Sequence, residues 1–151
     1  MRTSATLFFQ GLTALAALAV LTAILWEPHV EGRNDGKAFF EVYANDPFLM
    51  VAYIASIAIF VGLYQAFKLL GYIRQNEWAS PRSAKALRII RYCAVTFMAF
   101  VLAGEVYLFT VVRGTDDIAG GVFIGGVLFL FSIITATTAA VLERKVSRAV
   151  R

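Results

Sequence analysis

Four long apolar runs constrain this chain more than any other feature of its sequence. Each holds at least 20 residues, so a helix rising about 1.5 Å per residue could cross a hydrocarbon layer of about 30 Å with each one. The chain of 151 residues is 60% apolar and only 16% charged, which is unusual for a soluble domain and excludes a disordered chain. We predict an all-α membrane protein, an up-down bundle of four transmembrane helices in a single domain over residues 1–151. The predicted spans are residues 7–26, 48–70, 89–112 and 118–142.

The Lys and Arg residues around these runs predict the orientation in the membrane. If the first run leaves the cytoplasm, three of the 14 Lys and Arg residues lie outside, and the other eleven lie inside or beside the inner ends of the spans. Positive residues concentrate on the cytoplasmic side of membrane proteins, so both termini of this multi-pass membrane protein are predicted to be cytoplasmic. The net charge of +4 then indicates contact with anionic lipid headgroups and not with nucleic acid. The eleven are Arg2, Lys68, Arg74, Arg82, Lys85, Arg88, Arg91, Arg144, Lys145, Arg148 and Arg151.

The first run is predicted to be retained as a span. It contains an Ala-Leu-Ala sequence at residues 17–19 that is typical of a signal-peptidase site. However, the run continues through Trp26, which is long for the apolar region of a signal peptide.

The third helix is predicted to begin before its membrane span. Ser80 and Pro81 have the pattern of an N-cap followed by proline at the first helical position. The two turns that follow would lie at the cytoplasmic surface, where basic side chains can reach lipid phosphates or an acidic partner. The candidate lipid- or partner-contacting residues are Arg74, Arg82, Lys85, Arg88 and Arg91.

Small and polar residues recur at helical spacing in the last two runs. In the third run the stripe is Tyr92, Thr96, Ala99, Ala103, Tyr107 and Thr110; in the fourth it is Gly121, Gly125, Leu128, Ser132, Thr135 and Ala139. Small residues allow membrane helices to approach closely. Only a short turn joins the two runs, so we predict antiparallel packing along these stripes, with Ala99, Ala103, Gly121, Gly125 and Ser132 in the contact.

Glu105 is the first candidate for a functional side chain, because it is the only ionisable residue well inside a span. A charged residue near the middle of a membrane helix costs on the order of 3 kcal/mol on insertion scales. If the small-residue stripe faces the fourth helix, Glu105 faces the first or second helix, another subunit or lipid. Three interpretations stay open: a neutral acid hydrogen-bonded in the bundle, a proton or cation site reached from outside, and a contact across an oligomer. Tyr107 and Gln65 are the polar residues assigned with it to a ligand or proton site.

The sequence offers no signature of catalysis or of a bound cofactor. It lacks H-E-x-x-H, a P-loop, G-x-S-x-G and C-x-x-C, and one histidine cannot supply paired axial ligands to haem. That histidine, His29, lies between Glu27 and Glu31, but an acidic loop with one histidine is weak support for a metal site. We expect a protein that is not an enzyme and that holds no cofactor and no metal.

Several segments resemble one bacterial family. The segments are Tyr64-Gln65-Ala66-Phe67-Lys68-Leu69-Leu70, Ser80-Pro81, Ala86-Leu87-Arg88-Ile89-Ile90-Arg91-Tyr92-Cys93-Ala94, Asp116-Asp117 before the glycine-rich fourth run, and Ala139-Ala140-Val141-Leu142. Together they are similar to the YoaS-like membrane proteins, called Domain of Unknown Function 2975. The resemblance implies a four-helix inner-membrane protein of no established activity, sometimes encoded beside a small helix-turn-helix regulator. The sequence departs from the family's pattern around Gly104 and Glu105, so the resemblance implies no role for Glu105.

Two functional hypotheses follow. The first is a non-enzymatic regulatory or assembly module whose basic cytoplasmic face contacts lipid or protein, with a cytoplasmic regulator and a second copy of the chain as candidate protein partners. The alternative is a small transporter or ligand-binding protein that uses Glu105.

Overall fold

Four long helices account for nearly all of the described chain. The computed structural model describes residues 3–30, 36, 38, 40–41, 47–114 and 117–150, with residues 27–30 described for their backbone. All four helices are long and apolar enough to cross a membrane, which confirms the predicted helical fold. The helices are α1 (Thr3–Val30), α2 (Pro47–Arg74), α3 (Pro81–Tyr107) and α4 (Ala119–Ala149), and α3 continues into a π-helical turn over Leu108–Val112.

The connection between α2 and α3 is ordered by helix caps at both ends. After α2 the chain adopts a left-handed conformation at Asn76 (φ 59°), and the Glu77 N–H donates to the Tyr72 carbonyl at 2.8 Å. This is the Schellman arrangement, with asparagine in the position that glycine usually takes. Ser80 then caps α3, since its Oγ accepts from the Ser83 N–H at 3.2 Å. The predicted start of α3 at Pro81 is confirmed.

α1 and α2 pack antiparallel and are joined by hydrogen bonds near both ends of their contact. The Gln10 side-chain amide donates to the Phe67 carbonyl at 3.2 Å, and the Tyr53 hydroxyl donates to the Ile24 carbonyl at 2.9 Å. Each bond joins a side chain of one helix to the backbone of the other. Such interhelical bonds are worth on the order of 1 kcal/mol in membranes.

α2 packs against α3 where small residues let the backbones approach. A Cβ added at Gly62 would lie 3.6 Å from the Cys93 Cβ, and one added at Gly104 would lie 3.4 Å from the Phe48 ring. The Phe48 and Tyr107 rings stack with their centroids 6.3 Å apart. The extensive helix–helix contacts are those between helices that follow one another in the chain: α1 with α2, α2 with α3, and α3 with α4.

α3 and α4 form an antiparallel seam that runs over most of their length. Near the connection between the two helices, Leu108 lies against Gly121 and Glu105 lies against Gly125. At the other end, Arg88 and Arg91 of α3 contact Glu143 of α4. The antiparallel packing of these two helices agrees with the sequence prediction.

The predicted faces of this seam are right for α4 and wrong for α3. Ser132 and Ala139 are both 3% exposed, as the α4 stripe requires. Ala99 and Ala103, by contrast, are exposed, while Leu87 and Ala94 are buried. The face of α3 that carries its charged residues turns toward α4, because Glu105 and Arg91 find polar partners or space there that lipid does not offer.

The outward faces of the helices are apolar. Phe123 is 73% exposed and Phe131 is 67% exposed, and each helix leaves large aliphatic or aromatic side chains uncovered. In water such surfaces would drive association, whereas in a membrane lipid tails cover them.

The Ser80 cap gives the first prediction. Ser80→Ala should lower the free energy of unfolding by about 1 kcal/mol, because the first turn of α3 then lacks its side-chain acceptor. Ser80→Asp should keep most of the stability, since aspartate also caps helices. Unfolding of the full chain in mixed micelles, followed by circular dichroism, measures both. Equal loss from Ala and Asp would contradict the capping role.

Candidate functional site

A buried acidic side chain lies between two arginines at one end of the α3–α4 seam. Glu143 is 7% exposed. Its Oε1 accepts from Nε of Arg88 at 2.8 Å, and its Oε2 lies 3.1 Å from Nη1 of Arg91. The Arg91 contact is an ion pair by distance but does not have hydrogen-bond geometry. We call this set of Arg88, Arg91 and Glu143 the Arg-Glu clasp.

The clasp follows from the helical periodicity of both elements. Arg88 and Arg91 are three residues apart and share one face of α3, as their spacing predicts. Glu143 continues the buried face of α4, between Ala139 and Val146 at intervals of four and three residues. Two arginines and one carboxylate leave a net charge of +1 at the clasp. The Arg88 side chain is 56% exposed and that of Arg91 is 29% exposed.

Sequence reasoning missed Glu143. Arg144 and Lys145 follow it directly, so in the sequence it looks like part of a charged extension of the last helix. The signal that would have found it is the spacing of the α4 stripe, which continues from Ala139 to Glu143 without interruption. Extending the predicted antiparallel register to this turn places Glu143 beside Arg88.

Other basic side chains at this end of the molecule are exposed. Arg82 has a long contact to Glu77, 3.8 Å between Nη1 and Oε2, and both side chains are exposed. Trp78 in the α2–α3 connection is 54% exposed. We call this exposed surface the basic end. Its members are Arg74, Trp78, Arg82, Lys85, Arg144, Lys145 and Arg148.

The five basic residues singled out from the sequence therefore divide into two groups. Arg74, Arg82 and Lys85 belong to the basic end and are exposed. Arg88 and Arg91 belong to the clasp, where Glu143 neutralises part of their charge. The first group is available to a lipid or protein partner, whereas the second holds α3 against α4.

Glu105 packs toward α4, contrary to the face predicted for it. A Cβ built on Gly125 would overlap Oε1 of Glu105 and would lie 2.8 Å from its Cδ. The carboxylate occupies space that only glycine leaves free. The sequence interpretation was wrong because it placed the small-residue face of α3, and not the face of Glu105, against the fourth helix. Exposing a carboxyl group to lipid costs free energy, so the side chain turns into the seam.

The three residues assigned to a ligand or proton site do not lie together. Tyr107 stacks on Phe48 at the α2–α3 contact, while Glu105 faces α4. Gln65 is 17 residues along α2 from Phe48, so it lies roughly 25 Å away from that level of the bundle. No shared site connects Gln65 with Glu105.

The described part of the chain contains no cluster of three or more His, Cys, Asp or Glu side chains that could hold a metal ion. The side chains of Glu27, His29 and Glu31 lie outside the described residues.

The four spans and the α3–α4 seam define a multi-pass α-helical membrane protein. The chain belongs to the family described as "Protein of unknown function (DUF2975)", which it matches over residues 10–151. A similar protein is the "Uncharacterized membrane protein YoaS" of Bacillus subtilis (strain 168), 41% identical over 98 residues. That match covers 65% of this chain and 61% of the relative, so the chain spans less than two thirds of the relative's length. No solved structure matches the chain.

The contact between Glu105 and Gly125 gives the second prediction. Gly125→Ala should lower the free energy of unfolding by about 1–3 kcal/mol, because its methyl group displaces the carboxylate from the seam. Gly126→Ala is the matched control, since a Cβ there meets nothing within 4 Å. Denaturant titration in micelles compares the two variants.

A double variant tests the cause. In the double variant Gly125→Ala with Glu105→Ala, the clashing carboxylate is gone. The double variant should therefore lose less free energy of unfolding than the two single variants lose together. Full additivity would show that Gly125 is needed for another reason.

The third prediction concerns the clasp. Glu143→Gln removes the negative charge that Arg88 and Arg91 share, and should lower the free energy of unfolding by about 1–3 kcal/mol. Glu77→Gln is the matched control, because an exposed ion pair contributes about 0–1 kcal/mol. Thermal unfolding in micelles measures both, and equal effects of the two substitutions would refute the assignment of Glu143 to the seam.

Proposed function

We propose that this protein is a non-enzymatic regulatory or assembly module of the bacterial inner membrane. Its basic end faces the cytoplasm and binds an acidic surface of a cytoplasmic protein. The observation that carries the proposal is the concentration of exposed cations beside an exposed Trp78 at one end of the bundle.

Order in the α2–α3 connection supports a protein contact. The Schellman turn at Asn76 and the cap at Ser80 fix both ends of the segment that carries Trp78. Arginine and tryptophan are enriched where proteins bind one another, and a surface that is already ordered loses little conformational entropy on binding. Anionic lipid headgroups would contact the surrounding cations at the same surface.

Charge at the opposite end supports the cytoplasmic orientation. Arg113 is the only Lys or Arg among the described residues of the outer connections, whereas the basic end holds six. Cytoplasmic loops carry the excess of Lys and Arg in inner-membrane proteins. The family resemblance, which implies an association with a small helix-turn-helix regulator, suggests one class of cytoplasmic partner.

The alternative function, a small transporter or ligand-binding protein, depends on Glu105. Its carboxylate packs against Gly125, in the α3–α4 seam. This contact supports a packing role for Glu105 more directly than a role in moving an ion.

The fourth prediction tests the proposed partner contact. The full chain in native nanodiscs is used to capture binding proteins, which mass spectrometry identifies, and the retained lipids and small molecules are measured in the same sample. Arg82→Gln combined with Lys85→Gln should lose a specific cytoplasmic protein, because two exposed cations of the basic end are removed. Arg113→Gln, an exposed cation at the opposite end, is the control and should retain it.

Glu105→Gln separates the two functions in the same experiment. Loss of an ion or small molecule in this variant alone would favour the transporter and count against the proposed module. Recovery of bulk lipid alone from every variant would leave the basic end without the partner that the proposal requires and would refute it.

A further inference from the structure

An apolar groove runs along the contact between α1 and α2. Its volume is about 210 Å³, and it is open on one side. α1 contributes small side chains to its wall, and α2 contributes large ones. The lining residues are Thr13, Ala14, Ala17, Phe60, Leu63, Tyr64 and Phe67.

Contacts on both sides of the groove keep the two helices at a fixed separation. The Gln10 amide holds Phe67 at one end, and the Tyr53 hydroxyl holds Ile24 toward the other. Between these hydrogen bonds α1 presents alanines, whose methyl groups do not fill the space beside the aromatic rings of α2. The Thr13 hydroxyl donates to the Phe9 carbonyl of its own helix at 2.8 Å. The wall therefore presents an apolar surface.

A cation lies at the end of the groove nearest the basic end. Nζ of Lys68 is 5.4 Å from the centroid of the Tyr64 ring, which forms part of the wall. Lys68 follows Tyr64 by one helical turn and precedes Arg74, the last residue of α2. The groove thus combines an apolar channel in the span with a positive charge near the membrane surface.

We propose that this groove is a binding site for an anionic phospholipid. One acyl chain lies along the alanine face of α1, between Ala14 and Ala17 and the aromatic rings of α2. The lipid phosphate pairs with Lys68, whose aliphatic stem allows its ammonium group to reach headgroup depth. The site is separate from the basic end, so it does not depend on the proposed partner.

Charge and side-chain size favour a lipid over a second copy of the chain. A transmembrane helix docks closely where both surfaces are small, whereas Phe60, Tyr64 and Phe67 make one wall of this groove bulky. In a two-fold dimer about the membrane normal, both copies of Lys68 would lie at the same depth and repel each other across the contact. A flexible acyl chain fits an irregular apolar channel, and a lipid phosphate forms an ion pair with the Lys68 ammonium group.

Native mass spectrometry of the full chain tests this site. The protein in detergent is incubated with phosphatidylglycerol or phosphatidylcholine, and the fraction that retains one lipid is measured. The wild-type chain should retain phosphatidylglycerol about fivefold better, the factor expected from one lysine beside an anionic headgroup. Lys68→Gln should abolish that preference, whereas the control Arg113→Gln, an exposed cation at the opposite end of the bundle, should leave it unchanged.

A second pair of variants tests the channel. Ala17→Leu fills the groove and should reduce retention of both lipids, while Ala19→Leu makes the same change at an exposed position of α1 outside it. Circular dichroism checks that both remain helical, and the Lys68→Gln result stands even if Ala17→Leu does not fold. The proposal is overturned by an equal lipid preference in Lys68→Gln and the wild type, or by equal retention in the two leucine variants. A change from dimer to monomer in Ala17→Leu would instead identify the groove as a contact between copies.

Discussion

The packing of α3 against α4 depends on one close contact and one polar contact at opposite ends of the seam. Apolar side chains gain little by leaving lipid for another helix, so membrane helices need close approach or polar pairing to associate in one arrangement. This seam has both, with Glu105 over Gly125 near one end and Glu143 between two arginines at the other. Two contacts far apart on the same pair of helices fix their register and their rotation together.

The rest of the bundle follows from the orientation of α3. With its charged face toward α4, α3 presents Cys93 and Gly104 to α2, where Gly62 and Phe48 meet them. α2 in turn holds α1 through hydrogen bonds to backbone carbonyls, which depend less on the identity of apolar side chains. The chain-order packing is therefore built outward from one seam, and the α1–α2 pair is the part in which a groove remains open.

The sequence predicts the number of helices and the pairing of α3 with α4 well, because these depend on membrane thickness and on the short connection between the last two helices. It also identifies the Ser80 cap and the α4 face, whose small residues have a single consistent period. The α3 face was wrong because that helix carries two plausible stripes. The rotation of α3 about its own axis is set by Glu105 and Arg91. Their partners are distant in sequence, since Gly125 is 20 residues from Glu105 and Glu143 is 52 residues from Arg91. The pattern of small residues on α3 alone does not show which residues of α4 pair with Glu105 and Arg91.

The same argument separates the roles of cations that look alike in sequence. Arg82 and Arg88 lie within two turns of each other on α3, yet one extends into solvent beside Glu77 and the other bonds to a buried carboxylate. Glu143 directly precedes the exposed cations Arg144 and Lys145 on a helix that continues to Ala149. The clasp therefore determines where the α4 cations stand relative to the ordered α2–α3 connection. The partner proposed for the basic end would contact a charge pattern whose spacing is set by the α3–α4 seam, so the proposed binding would depend on the packing of Glu143.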